Sequence, residues 1–384
     1  MPGQDRPRVG LVLAGGGARG AYEMGALSEL LTALGADEQP RVIVGTSVGA
    51  LNAAYLAATA ALPAGERMER AKALWRGIHY RDVLAPLWRS GARSAATYVR
   101  ELFGDPESHL YALLDPAPLA RTIGDLIPFD RLRRLPPGGE DVVAVVATSA
   151  ATEQSVVFHQ GGPAPPADLR RGIEYVAVEL GPEHVLASAA IPVVFPAVLV
   201  TGPAAGWYYD GGTRLNTPIK PALALGAERV IVVALNSLAR RPGDRTGRRP
   251  DVFDGAGQLI QALLVDPLVN DVHTLAMVNE TAGAGAGRRA VVPYILVAPE
   301  DPDEIGACAA RVYRDHQDEL PGDLELLGRL LDAGAGPMHG ELLSYLFFAP
   351  QMADALIELG CRDARRWIEA VHDDGPWQVG QLPT

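Results

Sequence analysis

The chain carries 384 residues, 48% of them apolar and 21% charged, with a formal net charge of −12. That composition fits a large soluble globular core, and the acidic balance argues against a nucleic-acid partner and against attraction to anionic membranes, so any bilayer contact would be local and apolar. The two cysteines, Cys308 and Cys361, form neither a metal-ligand spacing nor a disulfide framework, and no run of about 20 apolar residues is free of charge or proline.

Residues 9–14, Val-Gly-Leu-Val-Leu-Ala, read as a buried first strand, too short for a signal peptide. Gly15, Gly16 and Gly17 follow, then Ala18, Arg19 and Gly20. Residues 21–34 carry a helical stripe of Met24, Leu27, Leu30 and Leu31. A strand, a glycine loop and a helix N-terminus together offer backbone N–H groups to an anion. Two chemistries could use them. Gly15, Gly17 and Gly20 satisfy the G-x-G-x-x-G spacing of a dinucleotide site, which needs an acid at the end of the next strand to hold a ribose. That strand, residues 42–44, ends instead in Gly45-Thr46-Ser47, and Asp37 and Glu38 precede it. The other chemistry is an oxyanion hole serving a serine on the next strand, which lies close by in a parallel sheet. It ranks first because it uses both glycine clusters.

Ser47 stands in Gly45-Thr46-Ser47-Val48-Gly49, between an apolar run and an alanine-rich helical stretch. G-x-S-x-G between strand and helix describes a nucleophile elbow, a turn so tight that its flanking residues must lack bulk. The following helix aims its positive dipole end at the same spot. The alternative is a glycine-rich turn with an N-cap serine.

Residues 63–140 read as helices broken by prolines and glycines, anchored by Trp75, Tyr80, Leu84, Leu87, Trp88, Tyr98, Leu102 and Phe103. Such an insertion suits an acyl-chain pocket or lid, or equally the core of a helical subdomain. Residues 142–147 form a predicted buried strand with 155–159 as its hairpin partner. Trp207-Tyr208-Tyr209 is a short aromatic strand ending in Asp210-Gly211-Gly212, whose carboxylate can approach a neighbouring loop. Asn216, Thr217 and Pro218 are predicted to shape the site floor. Residues 229–235 and 291–297 are further strands, and 240–254, rich in Arg, Pro, Gly and Asp, reads as a loop. From about Glu304 the chain is helical, with Leu346, Phe347 and Met352 expected to pack on the main sheet.

These clusters, in this order, resemble the patatin-like phospholipase family, as does the segment Ser188-Ala189-Ala190-Ile191-Pro192-Val193-Val194-Phe195-Pro196. The resemblance extends over roughly residues 8–235. It implies an α/β fold, a three-layer α/β/α sandwich with a central, mostly parallel sheet. Residues 1–300 would be the catalytic domain, interrupted by the insertion at 63–140, and 301–384 a helical extension packed on it. It further implies a serine–aspartate dyad, in which Ser47 is the nucleophile and Asp210 takes its proton directly. The glycine loop (Gly15, Gly16, Gly17), with Arg19, would form or brace the oxyanion hole, and Gly211 and Gly212 would turn the chain beside the base. The implied activity is calcium-independent hydrolysis of lipid acyl esters, with no metal and no cofactor.

A serine hydroxyl needs a base, and histidine is the usual one. The eight histidines are His79, His109, His159, His184, His273, His316, His339 and His372. None sits in a strand-end motif beside glycines, although four follow Asp210 in the order of an ordinary α/β-hydrolase triad. An aspartate of pKa about 4 is a weak base, and works better partly desolvated with proton transfer concerted with attack. The sequence thus reads as a cytoplasmic serine hydrolase acting on a lipid or other acyl ester, with peripheral membrane contact as its one membrane association. Three rivals stand beside it: an acyltransferase or lactonising enzyme using the same dyad, a dinucleotide-binding oxidoreductase, and a binding protein without catalysis, which would be expected to have lost Ser47 or Asp210.

Overall fold

The computed structural model describes residues 7–86, 112, 114–134, 139–239, 255, 258, 271–272, 275–276, 279, 291–331, 337–370, 372 and 374–380. Its centre is a nine-stranded mixed sheet. In chain order the strands are β1 (Val9–Leu13), β2 (Val42–Thr46), β3 (Val142–Ser149), β4 (Ser155–Gln160), β5 (Ile173–Ala177), β6 (Val198–Val200), β7 (Gly206–Asp210), β8 (Arg229–Val233) and β9 (Tyr294–Val297). The main path runs β5-β4-β3-β2-β1-β8-β9. Its pairs are parallel except β3 with β4, and the added pairs of β7 with β3 and β6 are antiparallel. Unbroken apolar runs such as Val-Ile-Val suit central parallel strands covered on both faces, and β1, β2 and β3 are buried along their whole length.

The helices flanking the sheet are α1 (Gly20–Ala33), α2 (Val48–Ala58), α3 (Ala64–Gly77), α4 (Ala117–Leu126), α5 (Pro182–Ser188), α6 (Ile219–Ala224), α7 (Glu304–His316), α8 (Gly322–Leu330), α9 (Pro337–Ser344) and α10 (Pro350–Glu369). This is the mostly parallel α/β architecture expected from the sequence. Helices α1 and α10 cross backbone to backbone: a Cβ on Gly25 would strike the Ile357 carbonyl, and one on Gly360 the Tyr22 carbonyl. The Tyr22 hydroxyl donates to Asp363 across the same contact at 2.8 Å. The C-terminal helices are therefore fixed onto the helix that follows the glycine loop. Phe347 and Phe348 are buried in the core.

The last strand starts at Tyr294, three residues later than its apolar pattern suggested. Trp75, Tyr80 and Leu84 of the insertion are buried. Leu87, Trp88, Tyr98, Leu102, Phe103 and the loop 240–254 lie outside the described residues.

One feature of sheet register positions the site. Strand β4 occupies one edge of β3 along residues 143–148. Strand β2 occupies the other edge only as far as Thr46, opposite Val146. There β2 turns out of the sheet at Ser47, and β7 arrives from the opposite direction, with Asp210 opposite Ala147. The serine and the aspartate thus meet end to end along a single edge of β3.

Candidate active site

Ser47 has φ 54 and ψ −121, a left-handed conformation that costs a non-glycine residue about 1–3 kcal/mol. The strain is held by close crossings. A Cβ on Gly45 would collide with the Gly49 carbonyl, and one on Gly49 with the Leu13 carbonyl. The elbow is also tied to the sheet by Ser188, whose Oγ accepts the Ser47 N–H at 2.9 Å and donates to the Val146 carbonyl at 2.6 Å. Ser188 opens the segment noted in the sequence, but nothing local marked this role.

Asp210 is 4% exposed and Ser47 is 6% exposed. The Asp210 carboxyl accepts the Gly212 N–H at 2.7 Å, and its backbone N–H donates to the Ala190 carbonyl at 2.8 Å. Burial pushes the carboxyl up to about 7, with the Ser47 side chain and the Gly212 N–H pulling it back down.

The folded carboxyl at about 7 lies above its ordinary 3.8, so the native state holds this proton more tightly than the unfolded chain does. Stability is then lost as pH rises from about 4 through 7, by ~1.4 kcal/mol per pH unit and on the order of 4 kcal/mol in all. Asp210→Asn is expected to melt above wild type at pH 8 and level with it at pH 4, as followed by circular dichroism.

In the glycine loop, the Gly15 N–H is spent on Asn216, 3.1 Å from Oδ1 and 3.3 Å from the carbonyl oxygen. The Ala18 N–H donates to the Tyr345 carbonyl at 2.9 Å, and the Arg19 N–H to Gly16 at 3.2 Å. The amides of Gly16, Gly17 and Val48 find no protein acceptor among the described residues. Of these, Gly17 and Val48 line the same cleft as Ser47. Gly15 lies against Ser47, and its amide is held by Asn216.

Of the two roles expected for Arg19, forming or bracing the oxyanion hole, its contacts fit the second. Its side chain is fully buried and points to the C-terminal segment. Nε donates to Ser344 Oγ at 2.8 Å, Nη1 to Asn236 Oδ1 at 2.9 Å, and Nη2 pairs with the Glu341 carboxylate at 2.7 Å. The guanidinium also stacks 3.8 Å over the Tyr345 ring. With every face occupied, it braces the loop from behind and cannot donate into the site.

A second buried network, missed in the sequence, backs the elbow helix. Glu23 accepts from Asn52 Nδ2 at 2.7 Å, and Asn52 Oδ1 accepts the Trp75 indole N–H at 3.0 Å. Burial pushes Glu23 up to about 8, with Asn52 and the Ala14 amide drawing it down. It joins α1, α2 and α3 behind the two site loops.

Ser47, Val48, Leu51, Trp75, Ile78, Leu346 and Phe348 are among the walls of an apolar cleft of about 60 Å³. That is small beside the few hundred Å³ typical of ligand pockets, so a substrate chain must part the walls. No histidine among the described residues bonds to Ser47 or Asp210, and His109 and His273 lie outside them. Among the described residues, no group of three or more His, Cys, Asp or Glu side chains could hold a metal ion. No described helix is long and apolar enough to cross a membrane.

A mostly parallel α/β sheet with a strained serine after β2 and a buried aspartate at the end of β7 makes this an α/β protein with a candidate Ser–Asp pair. The sequence model described as patatin-like phospholipase matches residues 11–223, more than half of the chain, and the protein belongs to that family. No curated protein matches the chain. Among solved structures it is similar to VipD from Legionella pneumophila, at 13% identity over 77% of this chain and 62% of that one, with a TM-score of 0.31. The chain spans about three-fifths of that structure's length.

Proposed function

We propose that this protein hydrolyses lipid or other carboxylic acyl esters through an acyl-enzyme on Ser47, without calcium. The observation that carries the reading is the buried Asp210 carboxyl brought to the Ser47 elbow along one edge of β3. Asp210 takes the Ser47 proton as Oγ attacks the ester carbonyl carbon. The amides of Gly16, Gly17 and Val48 receive the charge that develops on the carbonyl oxygen. Collapse breaks the ester bond, and the departing alkoxide takes the proton from Asp210. Water then attacks the acyl group with Asp210 again accepting a proton, and the acid leaves as Ser47 is reprotonated.

The dinucleotide reading is disfavoured by the same loop: the Ala18 amide is already taken by the Tyr345 carbonyl, which also sits where a Cβ on Gly17 would go. Acyl transfer is the second reading, favoured by the narrow apolar cleft that limits water. Adding alcohol acceptors and weighing ester against free-acid products separates the two. A reducing, cytoplasmic location fits the two unpaired, buried cysteines.

The direct test is intact mass after treatment with a fluorophosphonate. One adduct is expected on wild type, none on Ser47→Ala, and slow labelling on Asp210→Asn. Folded wild type that stays unlabelled overturns the reading.

Gly17 has φ +59, so Gly17→Ala is both strained and blocked. It is expected to displace the Gly16 and Gly17 amides and to lower kcat by about a hundredfold, the usual cost of one lost oxyanion donor. Val193 is 70% exposed at φ 71, between Ile191 and Phe195, which line the cleft. Trp207 is 55% exposed on β7. Both suit contact with a lipid surface, so Val193→Asp with Trp207→Asp is expected to slow hydrolysis of vesicle-borne lipid while leaving a soluble short-chain ester unaffected.

A further inference from the structure

A cavity lies at the opposite end of the sheet from Ser47 and Asp210. It has a volume of about 760 Å³ and is bordered by the first residues of β2 and β3 and by the C-terminal end of α2. Ser47 follows the other end of β2, so the cavity is separate from the cleft above. Arg67, on the first turn of α3, lines it and is only 9% exposed. Its Nε has no hydrogen-bond partner, and among the described residues its guanidinium has no carboxylate partner. Burial lowers its pKa, as it does for a cation whose charge is not compensated. The other charges on the wall are accounted for. Arg41 pairs with Asp141 at 2.8 Å and with Glu140, and Asp37 is also engaged.

A buried, unpaired guanidinium is costly, and its planar fork matches a carboxylate. The lining is mixed: Leu31, Leu34, Ile43 and Leu62 supply an apolar stretch beside Thr32 and Gln39. Carboxylates at the rim, Asp37 and Asp141, weigh against a dianion. We infer that this cavity is a second binding site, for an amphiphilic monocarboxylate whose head pairs with Arg67 and whose hydrocarbon body lies along those leucines and Ile43. The inference stands apart from any catalysis at Ser47.

The test is 13C NMR titration of carboxyl-labelled dodecanoate into the full chain, in wild type, Arg67→Met and Arg67→Lys. Ser47→Ala serves as a parallel host, so binding is read whether or not the serine reacts. In wild type and Ser47→Ala, the bound carboxyl is expected to stay ionised about two pH units below the free acid, as a carboxylate beside a guanidinium does. Arg67→Met is expected to bind about tenfold more weakly and lose that shift, with Arg67→Lys between the two. Arg67→Met should melt no lower than wild type, since it removes an uncompensated buried charge. Dodecanoate binding that is equal in wild type and Arg67→Met, or absent from wild type, overturns the assignment. So does inorganic phosphate competing as strongly as dodecanoate, which would make the site one for a bare oxyanion.

Discussion

Ester hydrolysis is expected to rise about tenfold per pH unit as the solution approaches pH 7, then level off, and to vanish at every pH in Asp210→Asn and Ser47→Ala. The base must be unprotonated to accept the serine proton, and burial holds the Asp210 carboxyl at about 7. Below that pH the competent fraction falls in proportion to proton concentration, so kcat/KM falls with unit slope. An ordinary aspartate near 4 would leave the profile flat across this range. Removing either member of the dyad is expected to lower kcat/KM by about 10⁴-fold or more, as in other acyl-enzyme hydrolases stripped of nucleophile or base. A histidine base would titrate nearby, so temperature separates the two. Carboxyl ionisation is almost athermal, whereas imidazole ionisation takes up heat. A midpoint that holds between 10 and 35 °C supports Asp210; one that falls with warming points to an imidazole and defeats the direct dyad. On the proposed reading, the desolvation that costs stability as pH rises from about 4 through 7 is also what makes this carboxyl basic enough to take the serine proton.

The parts of the site that could be read from sequence are those made by neighbours along the chain. Gly45 is required by its crossing with Gly49 inside the elbow, and Gly212 turns the chain so that its amide meets Asp210 two residues before it. Their spacing therefore leaves a local signature. The runs 9–14, 42–44 and 229–235 announced central strands for the same reason, since burial on both faces demands unbroken apolar residues. Contacts over long separations left no such mark. The capture of the Gly15 amide by Asn216 and the bond from Ser47 N–H to Ser188 depend on how β7 and α5 return to the elbow. Asp210 could be named from its Asp-Gly-Gly turn, but its approach to Ser47 follows from the shared edge of β3, which is a matter of register. The sequence left Arg19 between forming and bracing the hole because an arginine in a glycine loop looks the same whether it faces an anion or a helix more than 300 residues away.

That helix supplies the second large effect. Arg19→Ala is expected to lower stability by about 3–5 kcal/mol, the range for leaving one partner of a buried ion pair uncompensated. Glu341 would then be a buried carboxylate without its cation, Ser344 and Asn236 would lose their donor, and a void would open under Tyr345. Arg19→Lys keeps the charge but not the fork that reaches three partners at once, and should fall between. Adding Glu341→Gln to Arg19→Ala should recover part of the loss, because the stranded charge is gone; a thermodynamic cycle over the four proteins measures the coupling. Activity should follow, since the loop that carries the Gly16 and Gly17 amides is braced by this side chain. The expected pattern is a fall in kcat that accompanies the fall in melting temperature, with KM for a soluble ester little changed. A variant that melts like wild type yet loses kcat would place the guanidinium in the site itself, and the bracing role would fail.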